Sequence, residues 1–194
     1  MSSFRFGIDI DGTVTCPTSL LPHINKAFSC NLVLEDIKEY DLTKAFPVTH
    51  QEFSEWFRQT EAEIYATSPI QPDAQVVLNK WKQEHELYFI SARGHNVRDV
   101  TLQWFLEQEL LYDHIELIGS HDKIETARQY NIDVFFEDKH DNAVGITEAL
   151  GIPVLLFNTP YNQAPVPNGV FRINNWIEAD SWIQNHFSSL KREV

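Results

Sequence analysis

The chain has 194 residues, enough for one full core and a small appendage. Its formal net charge of −13, with no basic run, argues against a nucleic acid duplex or an anionic membrane surface as partner. The 43% apolar fraction argues for a folded globule, while two cysteines, Cys16 and Cys30, without a CxxC or a cysteine/histidine cluster, fit a reducing compartment and argue against zinc.

The first predicted element is the stretch Phe4 to Thr13. Phe4, Phe6, Ile8 and Ile10 alternate at period two, the pattern of a buried strand. It ends in Asp9 and Asp11, followed by Gly12, which suits a sharp exit turn. Side chains two apart on a strand share a face, so both acids point the same way. That crowding is costly unless a positive ion or a shared proton relieves it. The plain alternative is a chance acidic turn after an edge strand. No charged and then apolar leader precedes this strand, and no run approaches about eighteen apolar residues. A soluble, cytoplasmic protein is expected.

Residues 15–70 read as a helical insert with no convincing strand. Leu20, Ile24, Ala27 and Phe28 fall at helical spacing. Thr49 and Glu52 make a capping-box pattern ahead of Phe53, Trp56, Phe57 and Thr60, and Ile64 continues that face. Pro17 stands at the start of the insert, Pro69 and Pro72 at its end. The division expected is a core of residues 1–14 and 71–194 and an insert of 15–70.

From residue 73 helix and strand alternate. Ala74, Val77, Leu78 and Trp81 mark a helix, and Leu87–Ile90 a strand. Val97, Val100 and Trp104 mark a helix, and Ile115–Ile118 a strand. A short helix spans about 123–130, a strand 134–136, and a helix 142–150, stopped by Gly151. Strands at 154–157 and 170–173 and a helix at 176–187 close the chain. Repeated βαβ units imply an α/β fold, a doubly wound, mostly parallel sheet with helices on both faces.

In such a sheet ligands bind beyond the carboxyl ends of the strands. The first strand delivers Asp9 and Asp11 there. The second delivers Ser91, then Ala92, Arg93 and Gly94. The third is followed by Ser120, His121, Asp122 and Lys123, and the fourth by Glu137, Asp138, Asp141 and Asn142. Each alone has a bland reading: Ser91 as a helix cap, Lys123 as a solvated first-turn residue, Glu137 and Asp138 as acids at a helix N-terminus. Four in register, in a fold that converges them, favour a site.

The stretch Asp9-Ile10-Asp11-Gly12-Thr13 resembles the first motif of the haloacid dehalogenase superfamily of phosphatases. Ser91 resembles the second motif, Lys123 the third, and Glu137-Asp138 with Asn142 the fourth. An insert after the first motif resembles the family's first type of cap domain on a Rossmann-like core. Ile90-Ser91-Ala92-Arg93 and Phe136 to Asp141 are most similar to the 5′(3′)-deoxyribonucleotidase branch.

The resemblance implies a Mg²⁺-dependent phosphomonoesterase acting on a small phosphate ester, with neither a nucleic acid polymer nor a membrane as partner. Asp9 would attack phosphorus and form an aspartyl-phosphate. Asp9, the backbone carbonyl of Asp11 and Asp138 would hold the metal. Asp11 would act as general acid and then base. Ser91, the Ala92 backbone N–H and Lys123 would bind phosphoryl oxygens. Arg93 would touch substrate or pair with a surface carboxylate. The fourth motif departs from the usual pattern, with Asn142 where a second acid often stands and Asp141 one residue earlier. Either Asn142 bonds a metal-bound water or Asp141 takes an outer role.

Other candidates have plainer readings. His121 and His140 read as solvated loop residues that lie close in sequence to the motifs. Trp56 and Phe57 read as the insert's own core, with stacking on a nucleobase as the sharper alternative. Cys16 reads as packing. By branch, the ester is a nucleoside monophosphate; the alternatives are a sugar phosphate or phosphoglycolate. A phosphoacceptor receiver module shares the sheet, acids and lysine, but lacks an insert after its first strand and usually carries its acceptor on a later one.

Overall fold

The computed structural model describes residues 3–190, with side chains through 187. Its sheet has six strands: β1 (Arg5–Ile8), β2 (Glu86–Ser91), β3 (His114–Leu117), β4 (Val134–Glu137), β5 (Val154–Phe157) and β6 (Val170–Ile173). They lie in the order β3-β2-β1-β4-β5-β6, and every neighbouring pair is parallel. The chain winds outward from β1 in one direction, then from β4 in the other. The crevice between their carboxyl ends is therefore the switch point of the sheet.

Two apolar layers cover the sheet. Phe6, Ile8, Leu87, Phe89 and Phe136 pack against α3 (Ala74–Trp81), α4 (Arg98–Glu107) and α7 (Trp176–Leu190), with Trp81, Trp104 and Trp176 in that layer. Tyr88, Ile90, Phe135 and Leu156 pack on the other face against α5 (Ile124–Gln129) and α6 (His140–Leu150). The alternation follows from the two-residue period of a strand. Gly7 permits a close approach within the sheet. A Cβ there would fall 2.5 Å from the Phe135 ring, so only glycine lets that ring lie over β1.

The predicted elements all form, with small shifts at their ends: β2 runs on through Ser91, and α6 begins at His140. The capping box at Thr49 and Glu52 starts α2 (His50–Thr67) with both reciprocal bonds. In residues 15–70, α1 (Leu21–Phe28) and α2 are joined by a segment with 3₁₀ turns at Leu34–Asp36 and Leu42–Lys44. The two ends of this stretch meet in an antiparallel bridge, Thr15 with Ile70. Hydrogen bonds from Cys16 N–H to Pro69 and from Gln71 N–H to Val14, both 2.8 Å, flank the bridge. Helix α2 packs on the sheet-side helix α4, with Ile64 and Tyr65 against Val97 and Val100.

Candidate active site

The first acids sit where β1 gives out. Asp9 donates its N–H to the Phe136 carbonyl at 2.9 Å, continuing the ladder toward β4 for one more residue. The chain then turns at Gly12, whose φ of 80° is the left-handed conformation a Cβ resists. Position matters here as much as φ, because a Cβ on Gly12 would fall 2.2 Å from Oδ2 of Asp138. The turn is thereby pressed against the acid at the end of β4.

Lys123, just before α5, reaches into this crevice and is almost fully buried. Its Nζ lies 2.5 Å from Oδ1 of Asp9 and 2.8 Å from Oε2 of Glu137. Burial works against the ammonium, but Asp9 and Glu137 outweigh it and hold Lys123 above its ordinary pKa. Burial also drives Asp9 upward, to about 7; Lys123 draws it down, and Glu137 and Asp11 push it up. Asp138 is pushed well above the carboxylate range by burial and then by Glu137 and Asp9.

Asp9, Glu137 and Asp138 bring one carboxylate oxygen each within 4.8 Å of one another. Three buried carboxylates face a single ammonium. Oδ2 of Asp138 accepts from the Tyr161 hydroxyl at 2.5 Å, while its Oδ1 is buried with no hydrogen-bond partner. An orphaned carboxylate oxygen inside an uncompensated acid cluster is a costly arrangement that a hard divalent cation relieves. The residues fit such an ion.

Asp11 is held by a different cation. Arg93 donates from Nε to Oδ2 at 2.9 Å and from Nη2 to Oδ1 at 2.7 Å, a bidentate pair. Its Nη1 donates to Thr101 Oγ1 at 3.0 Å, and its guanidinium carbon lies 3.8 Å from the centre of the Tyr65 ring. The Arg93 side chain is fully buried, and its carboxylate partner, 32% exposed, lines the cavity. Ser91 is also fully buried, and its Oγ accepts from the Arg93 N–H at 3.2 Å. Ala92 lies on the wall of the cavity and Ser91 behind it.

These groups form the floor of a cavity of about 410 Å³ whose roof comes from residues 15–70. Phe53 and Phe57 face it, together with Leu34, Ile37 and Leu42. Trp56 does not; its ring packs 5.3 Å from Phe28 and 5.4 Å from Phe53, inside the insert. Tyr40 also lines the cavity, its ring 5.6 Å from His121 and 5.9 Å from Tyr161, with Lys139 Nζ 4.5 Å from the ring centre.

His121 therefore lines the cavity, whereas His140 sits outside it, bonded to Asp141 and the Pro165 carbonyl. The Asp141 side chain is 88% exposed and turned toward His140. Asn142 is the one that faces the acids, with Nδ2 3.4 Å from Oε2 of Glu137. Cys16 is on the cavity wall, its Sγ 2.9 Å from Thr18 Oγ1.

Sequence reasoning missed the part of Glu137 as the second anchor of Lys123, and it missed Tyr161, Tyr40 and Tyr65 altogether. Tyr161 had a usable signal. It follows β5, and the rule that loops at carboxyl ends gather at the crevice applies to that strand as well. Asn162 fixes this loop by donating to the carbonyls of Asp138 and Phe157, each at 2.7 Å.

Solved structures share the fold. The chain superposes on a haloacid dehalogenase-like hydrolase of Streptococcus pneumoniae with a TM-score of 0.67 at 14% identity, covering 94% of this chain and 99% of that one. It superposes on the haloacid dehalogenase-type hydrolase YfnB of Bacillus subtilis, solved with magnesium bound, with a TM-score of 0.64 at 12% identity, covering 95% and 100%. No protein-family model matches the chain. Sequence relatives are nearer. YqfW of Bacillus subtilis is 45% identical over 97% of both chains, and a Halalkalibacterium halodurans protein is 52% identical over 92% of both; each carries a provisional name as a nucleotidase. A Clostridium acetobutylicum protein named a nucleotidase is 31% identical over 92% of both. The chain belongs to the family of these nucleotidase-named proteins and is a phosphatase-type hydrolase, built on the fold of the haloacid dehalogenase-type hydrolases.

Proposed function

We propose that the protein is a Mg²⁺-dependent nucleotidase, hydrolysing (deoxy)ribonucleoside monophosphates through an aspartyl-phosphate. The observation that carries this reading is the unpartnered Asp138 Oδ1 beside Asp9 and Lys123, on the floor of a roofed cavity. Residues 15–70 act as the cap and the rest as the catalytic core. Asp9, the Asp11 carbonyl and Asp138 would hold Mg²⁺, which when bound neutralises charge on the phosphoryl oxygens.

A carboxylate oxygen of Asp9 forms the new bond to phosphorus as the ester P–O bond breaks. Lys123, fixed by Glu137, orients Asp9 and offers its charge to the incoming phosphoryl group. Ser91, whose Oγ accepts from the Arg93 N–H, and the Ala92 N–H would bind phosphoryl oxygens together with Lys123. Asp11 gives a proton to the leaving oxygen, then takes one from the water that cleaves the acyl phosphate. The roof, with Phe53, Phe57, Leu34, Ile37 and Leu42, is largely apolar and suits a nucleobase better than the small charged body of phosphoglycolate. The roof also limits the substrate to a small ester, so no nucleic acid polymer is expected to enter. A screen of phosphate esters with Mg²⁺ tests the reading. Nucleoside 5′- or 3′-monophosphates should exceed sugar phosphates and phosphoglycolate by at least about tenfold in kcat/KM, a margin of about 1.4 kcal/mol. A preference for either alternative would overturn it. By the same reading the protein works in the cytoplasm; among the described residues, no helix is long and apolar enough to cross a membrane.

A further inference from the structure

Arg93 is a buried cation on the cavity wall, with one N–H on each of its three side-chain nitrogens committed to a protein group. Two go to Asp11 and one to Thr101, and the flat face of the guanidinium lies against Tyr65. A buried charge is tolerated only when it is paired and bonded. Here the pairing has a geometric product: two parallel N–H···O bonds leave the Asp11 carboxylate one orientation at the cavity floor.

The origin of the Tyr65 ring adds the second half. Arg93 follows β2 of the core, whereas Tyr65 lies in the last turn of α2, on the insert. Next along the chain, the Ser68 carbonyl accepts from Trp104 Nε1 at 2.8 Å, and the Thr15–Ile70 bridge closes the insert. Tyr65 is thus where the root of α2 meets the charge that holds Asp11. With α2 lifted, water would replace the ring on the guanidinium and compete for its donors.

We propose that Arg93 is a positioning residue that aims the Asp11 carboxylate at the leaving-group oxygen, and that Tyr65 makes this aim depend on the seating of α2. The inference rests on the phosphatase reading above but not on the identity of the ester. It assigns Arg93 to Asp11 in place of the substrate.

The test uses phosphate monoesters graded from p-nitrophenyl to simple alkyl leaving groups, on wild type, Tyr65→Leu, Tyr65→Phe and Arg93→Lys. An aimed proton donor matters most for the poorest leaving groups. Tyr65→Leu and Arg93→Lys should therefore lose about 10–100-fold in kcat on alkyl esters and several-fold less on p-nitrophenyl phosphate, a part of the usual general-acid contribution. Tyr65→Phe keeps the ring and should stay within about twofold of wild type on all esters. In an Asp11→Asn background, Tyr65→Leu should add no further loss on alkyl esters, because the two changes remove one shared effect. Equal losses on all esters, additive losses with Asp11→Asn, or a Tyr65→Phe as damaged as Tyr65→Leu would overturn the inference and leave the phosphatase reading standing. A wild-type protein inactive on every ester would overturn both.

Discussion

Tyr161 donates its hydroxyl to one oxygen of Asp138 at 2.5 Å while the other oxygen of that carboxylate is buried without a partner. The hydroxyl fixes the carboxylate plane, and so fixes where the free oxygen points. Groups that orient a metal ligand in this way commonly matter 10–100-fold to affinity. Tyr161→Phe should weaken Mg²⁺ binding by about tenfold, read by isothermal titration. Folding should be nearly unaffected, since Asn162 still ties the loop to the Asp138 and Phe157 carbonyls. An unchanged Mg²⁺ affinity would remove Tyr161 from the metal site.

Without metal the acid cluster should make the protein less stable as pH rises. Burial first, opposed by Lys123, leaves Asp9 at about 7 against an ordinary 3.8, and Asp138 is raised as well. A carboxyl raised on folding binds more protons in the native state between those values. Stability therefore falls as pH climbs from about 4 through 7. Mg²⁺ should oppose that fall, because it binds the deprotonated native cluster. The gap in Tm between Mg²⁺ and EDTA should widen from pH 6 to pH 8. A gap that narrows over this range would contradict the assignment of these acids as ligands. Turnover should vanish in EDTA and return with Mg²⁺.

The cap aromatics should divide by the direction they face. Phe57 lines the cavity, whereas Trp56 packs on Phe28 and Phe53. Trp56→Ala should mainly destabilise, by about 2 kcal/mol for a partly buried ring, with kcat/KM falling little once the protein is folded. Phe57→Ala should cost more on nucleotides than on p-nitrophenyl phosphate, through the lost roof contact. Thermal melts and the two-substrate kinetics separate these outcomes. Equal behaviour of the two variants would mean that the roof does not read the leaving group.

Much of this arrangement was legible in the residue order. The alternation of Phe4, Phe6, Ile8 and Ile10 marked β1, and the Thr49–Glu52 capping box marked the start of α2. Polar residues at successive strand exits pointed to the crevice because parallel strands deliver them to one edge. The partners of the charges were not legible. Arg93 and Asp11 are far apart in sequence, and their bidentate pairing is fixed only by the packing of β2, α4 and α2. Tyr40 and Tyr161 reach the site from loops, where no period marks which face a side chain takes, whereas Tyr65 lies on α2 one residue past Ile64, and the period there does not tell that its ring meets Arg93. The orphaned oxygen of Asp138 is likewise a property of the assembled crevice.

The two acids after β1 should fail differently. Asp9→Asn removes the nucleophile and leaves the Lys123 ammonium with Glu137 as its remaining ion-pair partner, so no phosphoenzyme can form on any substrate. Asp11→Asn keeps the backbone carbonyl and removes the proton carrier. General acid assistance is worth roughly 10²–10⁴-fold, most for the poorest leaving group. A sugar alkoxide leaves poorly, whereas p-nitrophenolate leaves without a proton. In the phosphorylation step, Asp11→Asn should therefore lose far more on a nucleotide than on p-nitrophenyl phosphate. The second step needs Asp11 as base, so this variant should also accumulate aspartyl-phosphate from the activated ester. Rapid acid quench with a radiolabelled ester would detect it. Label retained on Asp9→Asn protein, or wild-type turnover by Asp11→Asn, would show that the roles assigned to the two acids are wrong.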